Sequence, residues 1–186
     1  MNQSDFKQKP EFTGTKRLLD VIYIALFTAI ITVSAQISIP TAIPFTLQTL
    51  GIFITGALLG WKRGTVSVII YILLAAVGMP VLANFKGGFD KIVGITGGYI
   101  IGFIFTALIV GLITDFFGRK TSTLLLSMIL GLSVCYLFGT VWFCIISKTT
   151  FSEALMLCVV PYLLFDALKI AAAVVLVNRL DKIIRL

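Results

Sequence analysis

The sequence predicts an all-α membrane protein, a bundle of six transmembrane helices with both termini in the cytoplasm. Three observations predict this class: the composition, the clustering of the charges and the distribution of the basic residues. Of the 186 residues, 59% are hydrophobic and 12% are charged, which is about half the charged share of an ordinary soluble domain. Residues 21–61, 64–85, 92–114 and 121–147 contain no charged side chain. These long runs exclude a soluble globular protein.

Helices are the only credible spans, because the runs lack the alternation of apolar and polar residues that a membrane barrel needs. A spanning helix takes about 20 apolar residues, so six helices use about 120 of the 186 residues. The predicted spans are residues 18–39, 45–59, 65–81, 92–113, 123–146 and a last one that begins at Glu153 or Pro161 and ends at Val177. We expect residues 1–17 to form a polar cytoplasmic tail and residues 18–186 to form a single transmembrane domain.

The basic residues predict the orientation in the cell membrane. The tail, the second loop, the fourth loop and the C-terminus hold Lys7, Lys9, Lys16, Arg17, Lys62, Arg63, Arg119, Lys120, Arg179, Lys182 and Arg185. The intervening loops hold Lys86, Lys91 and Lys148. Because positive charge collects on the cytoplasmic side, both termini are expected there. The net charge of +7 therefore lies in short loops and does not indicate a nucleic-acid partner.

Several chemistries are missing from the sequence. It contains no His, which excludes Ser-His-Asp and Cys-His catalysis and any His metal site. Cys135, Cys144 and Cys158 match no zinc or redox spacing. No G-x-x-x-x-G-K-[ST] loop occurs, so ATP hydrolysis would have to come from a partner, or the energy from an ion gradient. We expect no catalytic residue, no metal and no cofactor.

Two predicted external loops carry helix breakers and few charges. Residues 40–48 hold two prolines and no charge, and residues 78–89 mix glycine and proline with aromatic and amide side chains. Such breakers are tolerated at membrane depth where backbone lines a protein cavity. We infer a pocket that opens outward under these two loops, with ordinary surface loops as the alternative.

Asp166 and Lys169 are the strongest single indication of function. They lie in the apolar run 159–170, and their i, i+3 spacing places them on one helix face. An ionisable residue in mid-span costs about 2.5–3.5 kcal/mol on insertion scales, so a functional site is the default interpretation. A structural ion pair and a proton relay are the alternatives. Proline favours the first turn of a helix, so a start at Pro161 would place the pair one to two turns from the external end.

Few other polar residues are expected to converge on this pair. They are Gln48, Asn84, Thr96 and Tyr99, while Phe45, Phe85, Trp142 and Tyr162 are candidates for apolar walls. A carboxylate, a cation, amides and aromatic surfaces suit a small neutral or mildly anionic molecule with an amide-like head.

Two patterns of small residues indicate close helix packing. Gly97, Gly98 and Gly102 superficially resemble a phosphate loop but lack its lysine, so they favour close helix approach or backbone access to a ligand. Ala25 and Ala29 lie one turn apart on the first span, and small residues at this spacing let another helix approach. Packing within the chain is the alternative. Docking is of interest because a chain without an ATP-hydrolysing motif of its own needs a surface that binds a partner.

Taken together, these residues resemble the BioY family, the biotin-specific substrate-binding subunits (S components) of energy-coupling-factor (ECF) transporters. The resemblance runs from about Ala25 to Lys169. It rests on PFTLQTL at 44–50, GMPV at 78–81, TGGYIIGF at 96–103, GTVW at 139–142, and Pro161, Tyr162, Asp166 and Lys169. Ala75 and Ile95 depart from the family, which often has glycine and proline at these two places.

The resemblance implies a six-helix bundle that captures biotin from outside with high affinity. It also implies docking, through Ala25 and Ala29, onto a transmembrane coupling subunit that works with two cytoplasmic ATPase subunits. A self-sufficient channel or ion-coupled facilitator for a small vitamin-like solute is the alternative. A membrane-embedded enzyme is a weaker one, since Asp166 is the only carboxylate clearly within the predicted spans.

The resemblance also implies roles for the site residues. Asp166 is expected to accept hydrogen bonds from the ureido N–H groups of biotin, and Lys169 to donate to the ureido oxygen or to the carboxylate. The remaining members are Gln48, Asn84 and Tyr99 as hydrogen-bonding groups, and Phe45, Phe85, Trp142 and Tyr162 as the aromatic surfaces against the ring system and tail.

Overall fold

The structure is a computed structural model of the chain and describes residues 13–39 and 44–183. The helices are α1 (Thr13–Gln36), α2 (Gln48–Ala76), α3 (Phe89–Val93), α4 (Gly97–Phe117), α5 (Thr121–Ser147), α6 (Phe151–Cys158) and α7 (Leu163–Ile183). Two short strands, β1 (Ser38–Ile39) and β2 (Phe45–Thr46), and two 3-10 turns, Ala83–Phe85 and Val160–Tyr162, complete the described elements. Of the predicted features, tail residues 1–12, loop residues 40–43 and Arg185 lie outside the described residues.

The all-α membrane class is confirmed. Within the described residues, five helical segments are long and apolar enough to cross a membrane: Lys16–Gln36, Gln48–Ala76, Gly97–Phe117, Thr121–Ser147 and Phe151–Lys182. Four of them begin or end within a few residues of a predicted span, while the segment Gln48–Ala76 covers two predicted spans.

α2 reverses its direction at Gly60. This residue has a φ of 73°, in the left-handed region that glycine adopts without steric cost. A Cβ placed on Gly64 would lie 3.1 Å from the Cα of Gly56, and the Gln48 amide donates to the Tyr71 hydroxyl at 2.8 Å. One continuous helix would separate these pairs by about 12 Å and about 34 Å. The halves of α2 before and after Gly60 therefore lie side by side and antiparallel.

Side chains from the end of α4 and the following loop satisfy the backbone at this reversal. An interrupted helix leaves carbonyls at one end and N–H groups at the other without intrahelical partners. Asp115 accepts a hydrogen bond from the N–H of Trp61 at 3.0 Å. Arg119 donates to the carbonyls of Ala57 and Leu58, both at 2.7 Å. The reversal is therefore capped on both sides by the same segment of chain.

Glycines let α4 pack closely against α5. A Cβ on Gly98 would lie 2.3 Å from the Cβ of Trp142, and a Cβ on Gly102 would lie 3.0 Å from the Cα of Cys135. A side chain at either position would therefore require the helices to move apart. The interpretation of these glycines as points of close helix approach is confirmed.

The helix boundaries differ from the predicted ones at three places. α1 begins at Thr13, inside the predicted tail, because extending a formed helix is much easier than starting one. α4 begins at Gly97 and not at residue 92, since residues 89–93 form the separate helix α3. The last long helix follows the 3-10 turn that contains Pro161, which favours the Pro161 alternative over Glu153. The preceding α6 begins with a capping box between Thr150 and Glu153, a sequence signal for helix starts.

Candidate ligand-binding site

A cavity of about 240 Å³ opens at the end of the bundle that carries the two breaker-rich loops, here called the pocket end. The β1–β2 ribbon forms part of the first loop, with Ser38 opposite Thr46 and Ile39 opposite Phe45. The second loop contributes Leu82, Ala83 and Lys86, and α4, α5 and α7 supply most of the rest. Among the predicted site residues, those lining the cavity are Phe45, Gln48, Thr96, Tyr99, Tyr162, Asp166 and Lys169.

Asp166 and Lys169 form a buried ion pair in the wall of this cavity. The Lys169 Nζ donates to Asp166 Oδ1 at 2.8 Å, and the two side chains are 7% and 6% exposed. The Tyr136 hydroxyl of α5 donates to the other oxygen, Oδ2, of the same carboxylate. Because a carboxylate has about four acceptor positions, each oxygen keeps capacity for a further donor. The arrangement orients Asp166 without saturating it.

Phe45 folds the first loop onto α7. Its ring centroid lies 4.2 Å from the Nζ of Lys169. Its ring also contacts Phe165 at 4.7 Å and Tyr162 at 6.4 Å between centroids. A cation over an aromatic face in a desolvated site is stabilised by about 2 kcal/mol or more. The ammonium of Lys169 thus has a carboxylate on one side and an aromatic face on another.

Gln48 connects the cavity to the second loop. Its side chain is buried and donates to the Tyr71 hydroxyl at 2.8 Å. Tyr71 in turn donates to the carbonyl of Val81 at 3.1 Å. Gln48 therefore lines the cavity and also holds, through Tyr71, the loop that closes one side of it.

Two buried hydroxyl groups belong to the cavity lining, those of Thr49 and Tyr99. The Thr49 hydroxyl has no hydrogen-bond partner among the described residues, whereas the Tyr99 hydroxyl has Thr140 and Cys158 as polar neighbours. The ring of Tyr99 occupies the space over Gly139, where a Cβ would lie 2.2 Å from it. An unsatisfied buried hydroxyl costs about 1–3 kcal/mol. The hydroxyl of Thr49 is therefore a candidate for a hydrogen bond to a ligand.

Two further lysines, Lys86 and Lys91, also line the cavity and are exposed. Lys91 pairs with Asp90 at 2.6 Å, and its hydrogen bond holds the pKa of the Asp90 carboxyl below the ordinary value. The cavity thus combines a buried carboxylate–ammonium pair with exposed positive charge.

Three predicted site residues do not line the cavity. The Trp142 indole donates to the carbonyl of Gly94 at 2.9 Å, and its side chain packs against α4. Asn84 accepts a hydrogen bond from Ser38 at 3.0 Å on the surface, and Phe85 is 72% exposed. The roles of these three residues toward a ligand stay predictions.

Ala25 and Ala29 lie elsewhere, in an apolar groove of about 450 Å³ between α1 and the second half of α2. Both are exposed. The hydroxyls of Thr28 and Thr32, which also line the groove, donate to backbone carbonyls of their own helix at 2.8 and 2.9 Å. The groove therefore presents an apolar surface, in keeping with a helix-docking face.

The BioY family model matches residues 4–186 of the chain. The chain belongs to the BioY family. Its relatives include the biotin transporter BioY of Thermotoga maritima, which is 40% identical over 166 residues that cover 88% of this chain and 96% of the relative. The probable biotin transporter BioY of Pyrococcus horikoshii is 41% identical over 163 residues, 87% and 96% of the two chains.

A solved structure of the S component for biotin from an ECF-type ABC transporter has the same fold as this BioY chain. The TM-score is 0.83 at 30% sequence identity, with 91% of this chain and 94% of the other covered. The recognition made from the ordered sequence motifs is therefore confirmed.

Sequence reasoning missed several cavity residues of this BioY chain. Tyr136 could have been found as a phenol in an otherwise apolar run, 121–147. Lys86 and Lys91 entered only the argument on orientation, because their distance from Asp166 in the sequence hides their place in the same cavity. Thr49 carries no signal that distinguishes it from other threonines in the spans.

Proposed function

We infer that this chain is the biotin-binding S component of an ECF-type ABC importer, which captures biotin outside the cell and delivers it through an ATP-driven coupling module. The observation that most supports this function is the buried Asp166–Lys169 ion pair in the wall of the cavity. The relatives of the chain are named biotin transporters. These relatives and the solved S component are transport proteins and not enzymes. The chain is accordingly a transport subunit.

The cavity suits the chemistry of biotin at both ends of that molecule. The ureido head offers two N–H donors and one carbonyl acceptor, which match the free acceptor capacity of Asp166 and the donor of Lys169. Phe45 and Tyr162 supply aromatic surface for the bicyclic ring. We assign the carboxylate of the aliphatic tail to the exposed positive charge of Lys86, since Lys91 is paired with Asp90.

We further propose six membrane crossings with both termini in the cytoplasm. The antiparallel halves of α2 support two crossings for this helix. Arg63 pairs with Asp20 of α1 at 2.7 Å, and Arg119 pairs with Asp181 of α7. These contacts bring the ends of α1 and α7 to the Gly60 end of the bundle, where the basic loops lie. Residues 18–186 would then form one domain, and α1 extends it by five residues, 13–17, into the predicted tail 1–17.

The partners are likewise proposed. The groove at Ala25 and Ala29 would receive a transmembrane coupling subunit, which transmits the work of two cytoplasmic ATPase subunits. No ATP-binding loop occurs in the sequence, so ATP-driven import by this chain requires such partners.

The test is biotin binding by the purified chain, measured by equilibrium dialysis of radiolabelled biotin. We expect one biotin per chain. Asp166→Asn should weaken binding by a few hundred-fold or more, because removing one member of a buried ion pair costs about 3–5 kcal/mol. Asp20→Asn, at the exposed ion pair with Arg63, is the matched control and should bind normally.

An affinity of Asp166→Asn within threefold of the original chain would disprove the site. Biotin uptake by vesicles that contain this chain alone would instead favour the facilitator.

A further inference from the structure

A single side chain of α1 holds the second loop. Gln36 is the last residue of α1, and its Nε2 lies 3.1 Å from the carbonyl oxygen of Leu82. The carbonyls of Val81 and Pro80 lie at 3.3 and 3.4 Å from the same nitrogen. Its Oε1 accepts a hydrogen bond from the N–H of Phe85 at 2.9 Å. One amide thus contacts four backbone groups within six residues.

The side-chain amide of Gln36 can bind both the carbonyls and the N–H group of this loop. The two hydrogens of the Nε2 are shared among these carbonyls and that of Thr32 in α1 at 3.4 Å, with Leu82 nearest. The N–H of Phe85 needs an acceptor, and a glutamine carries donor and acceptor on one planar unit. The loop also needs to be held, because Asn84 and Phe85 have φ values of 58° and 54°. Residues with a Cβ occupy this region only where the surroundings enforce it.

The segment held in this way forms part of the cavity wall. Leu82, Ala83 and Lys86 line the cavity, and Leu82 pairs with Lys86 across the strained residues. Tyr71 holds the carbonyl of Val81 from α2. Gln36 itself is not among the lining residues, so its effect on a ligand passes through the loop.

We propose that Gln36 is a positioning residue for biotin binding, which holds residues 80–85 against the cavity and thereby slows the escape of bound biotin. The proposal rests on the proposed function. It predicts that loss of the amide acts on dissociation more than on association, because the held wall stabilises the bound state and changes of affinity among variants of one site appear mostly in the dissociation rate.

The experiment compares Gln36→Met, which is close in size and has no amide, with the original full-length chain in nanodiscs. We expect the dissociation rate of radiolabelled biotin to rise about tenfold, with the association rate changed less than threefold. Hydrogen exchange of the amides in residues 81–86 should rise and exchange in α4 and α5 should not. Gln36→Glu keeps the acceptor for Phe85 but turns an anion toward three carbonyls, and it should speed dissociation at least as much.

Ser133→Ala is the control. It removes an exposed hydrogen bond within α5 to the carbonyl of Ile129, away from residues 80–86 and from the cavity lining, and should leave both rates unchanged. Unchanged dissociation in Gln36→Met would overturn the proposal, even if hydrogen exchange rises. If the original chain does not bind biotin, the proposed function fails separately, and unchanged exchange at residues 81–86 would then overturn the role of Gln36.

Discussion

Both carboxylate oxygens of Asp166 accept hydrogen bonds from the protein itself, one from Lys169 and one from Tyr136. The ion pair is formally neutral, so the buried part of the cavity suits a polar but uncharged group. Burying two charges has a desolvation cost that their attraction often fails to offset. We therefore attribute the pair to ligand recognition and not to stability.

Replacing both members of the pair separates these two roles. We expect the triple variant Asp166→Leu, Lys169→Met and Tyr136→Phe, which also removes the hydroxyl that donates to Asp166, to unfold at the same temperature as the original chain or higher, since apolar replacement of a buried pair is neutral or stabilising by about 1–4 kcal/mol. The same variant should not bind biotin. Thermal unfolding in detergent and equilibrium dialysis measure the two properties. A large fall in the unfolding temperature would show that the pair is structural.

Tyr136→Phe removes one hydrogen bond to Asp166 and keeps the ring. A hydrogen bond to a charged group contributes about 1.5–3 kcal/mol, so we expect biotin affinity to fall roughly 10- to 100-fold. Tyr23→Phe on α1, outside the cavity lining, is the control and should bind as the original chain does. Equal affinities of the two variants would contradict the positioning of Asp166 by Tyr136.

Among the elements, α2 depends most on a single residue, Gly60, where the helix folds back. A Cβ at this position would lie 2.5 Å from the carboxylate of Asp115, the group that caps Trp61. Substitution would therefore combine an unfavourable φ with a steric conflict at the cap. Gly118 has a comparable φ of 78° but no atom within 4 Å of its Cβ position.

A comparison of Gly60→Ala with Gly118→Ala separates the cost of the backbone conformation, which both variants have, from the steric conflict with Asp115, which only Gly60→Ala has. We expect Gly118→Ala to destabilise the chain by about 1–3 kcal/mol, because its φ of 78° and ψ of 175° lie in a region that essentially only glycine occupies. Gly60→Ala should destabilise it more, because Asp115 has to move and the cap is lost. The midpoints of thermal unfolding measure both effects. Equal midpoints for the two variants would argue against the role assigned to Asp115.

The helical elements were largely predictable, because charge-free runs of spanning length leave few other folds. The reversal near residues 61–64 was expected as a turn between two spans, yet the structure keeps helical residues on both sides of Gly60. The site was predictable where a residue is unusual in its own setting, as Asp166 and Lys169 are in an apolar run. Trp142 illustrates the limit, since nothing in the sequence reveals that its indole bonds to Gly94 and packs against α4.

On the scale of the whole molecule, both ends of the bundle carry ion pairs, and the cavity distinguishes them. The Gly60 end holds Arg63–Asp20 and Arg119–Asp181, and the pocket end holds Asp90–Lys91 and the cavity with the exposed Lys86. In the proposed function, the substrate enters at the pocket end and the partners that drive transport act from the other side.

The proposed orientation is testable with an impermeant thiol reagent, in a background where the three native cysteines are replaced by alanine. We expect Lys86→Cys to react in intact cells, and Lys62→Cys to react only after the membrane is opened, because positive loops stay in the cytoplasm. Lys120→Cys serves as a second cytoplasmic position. Reaction of positions 62 and 86 from the same side would contradict the topology.

The two tryptophans of the chain lie at these opposite ends and make it its own optical reporter. Trp61 adjoins the reversal of α2, with Lys62 over its ring at 5.2 Å. Trp142 donates to the carbonyl of Gly94, two residues before Thr96 of the cavity lining. A chain that keeps only Trp142 would signal events at the cavity through its emission wavelength. A chain that keeps only Trp61 would report the binding of a partner at the other face of the membrane, again by a shift of its emission wavelength.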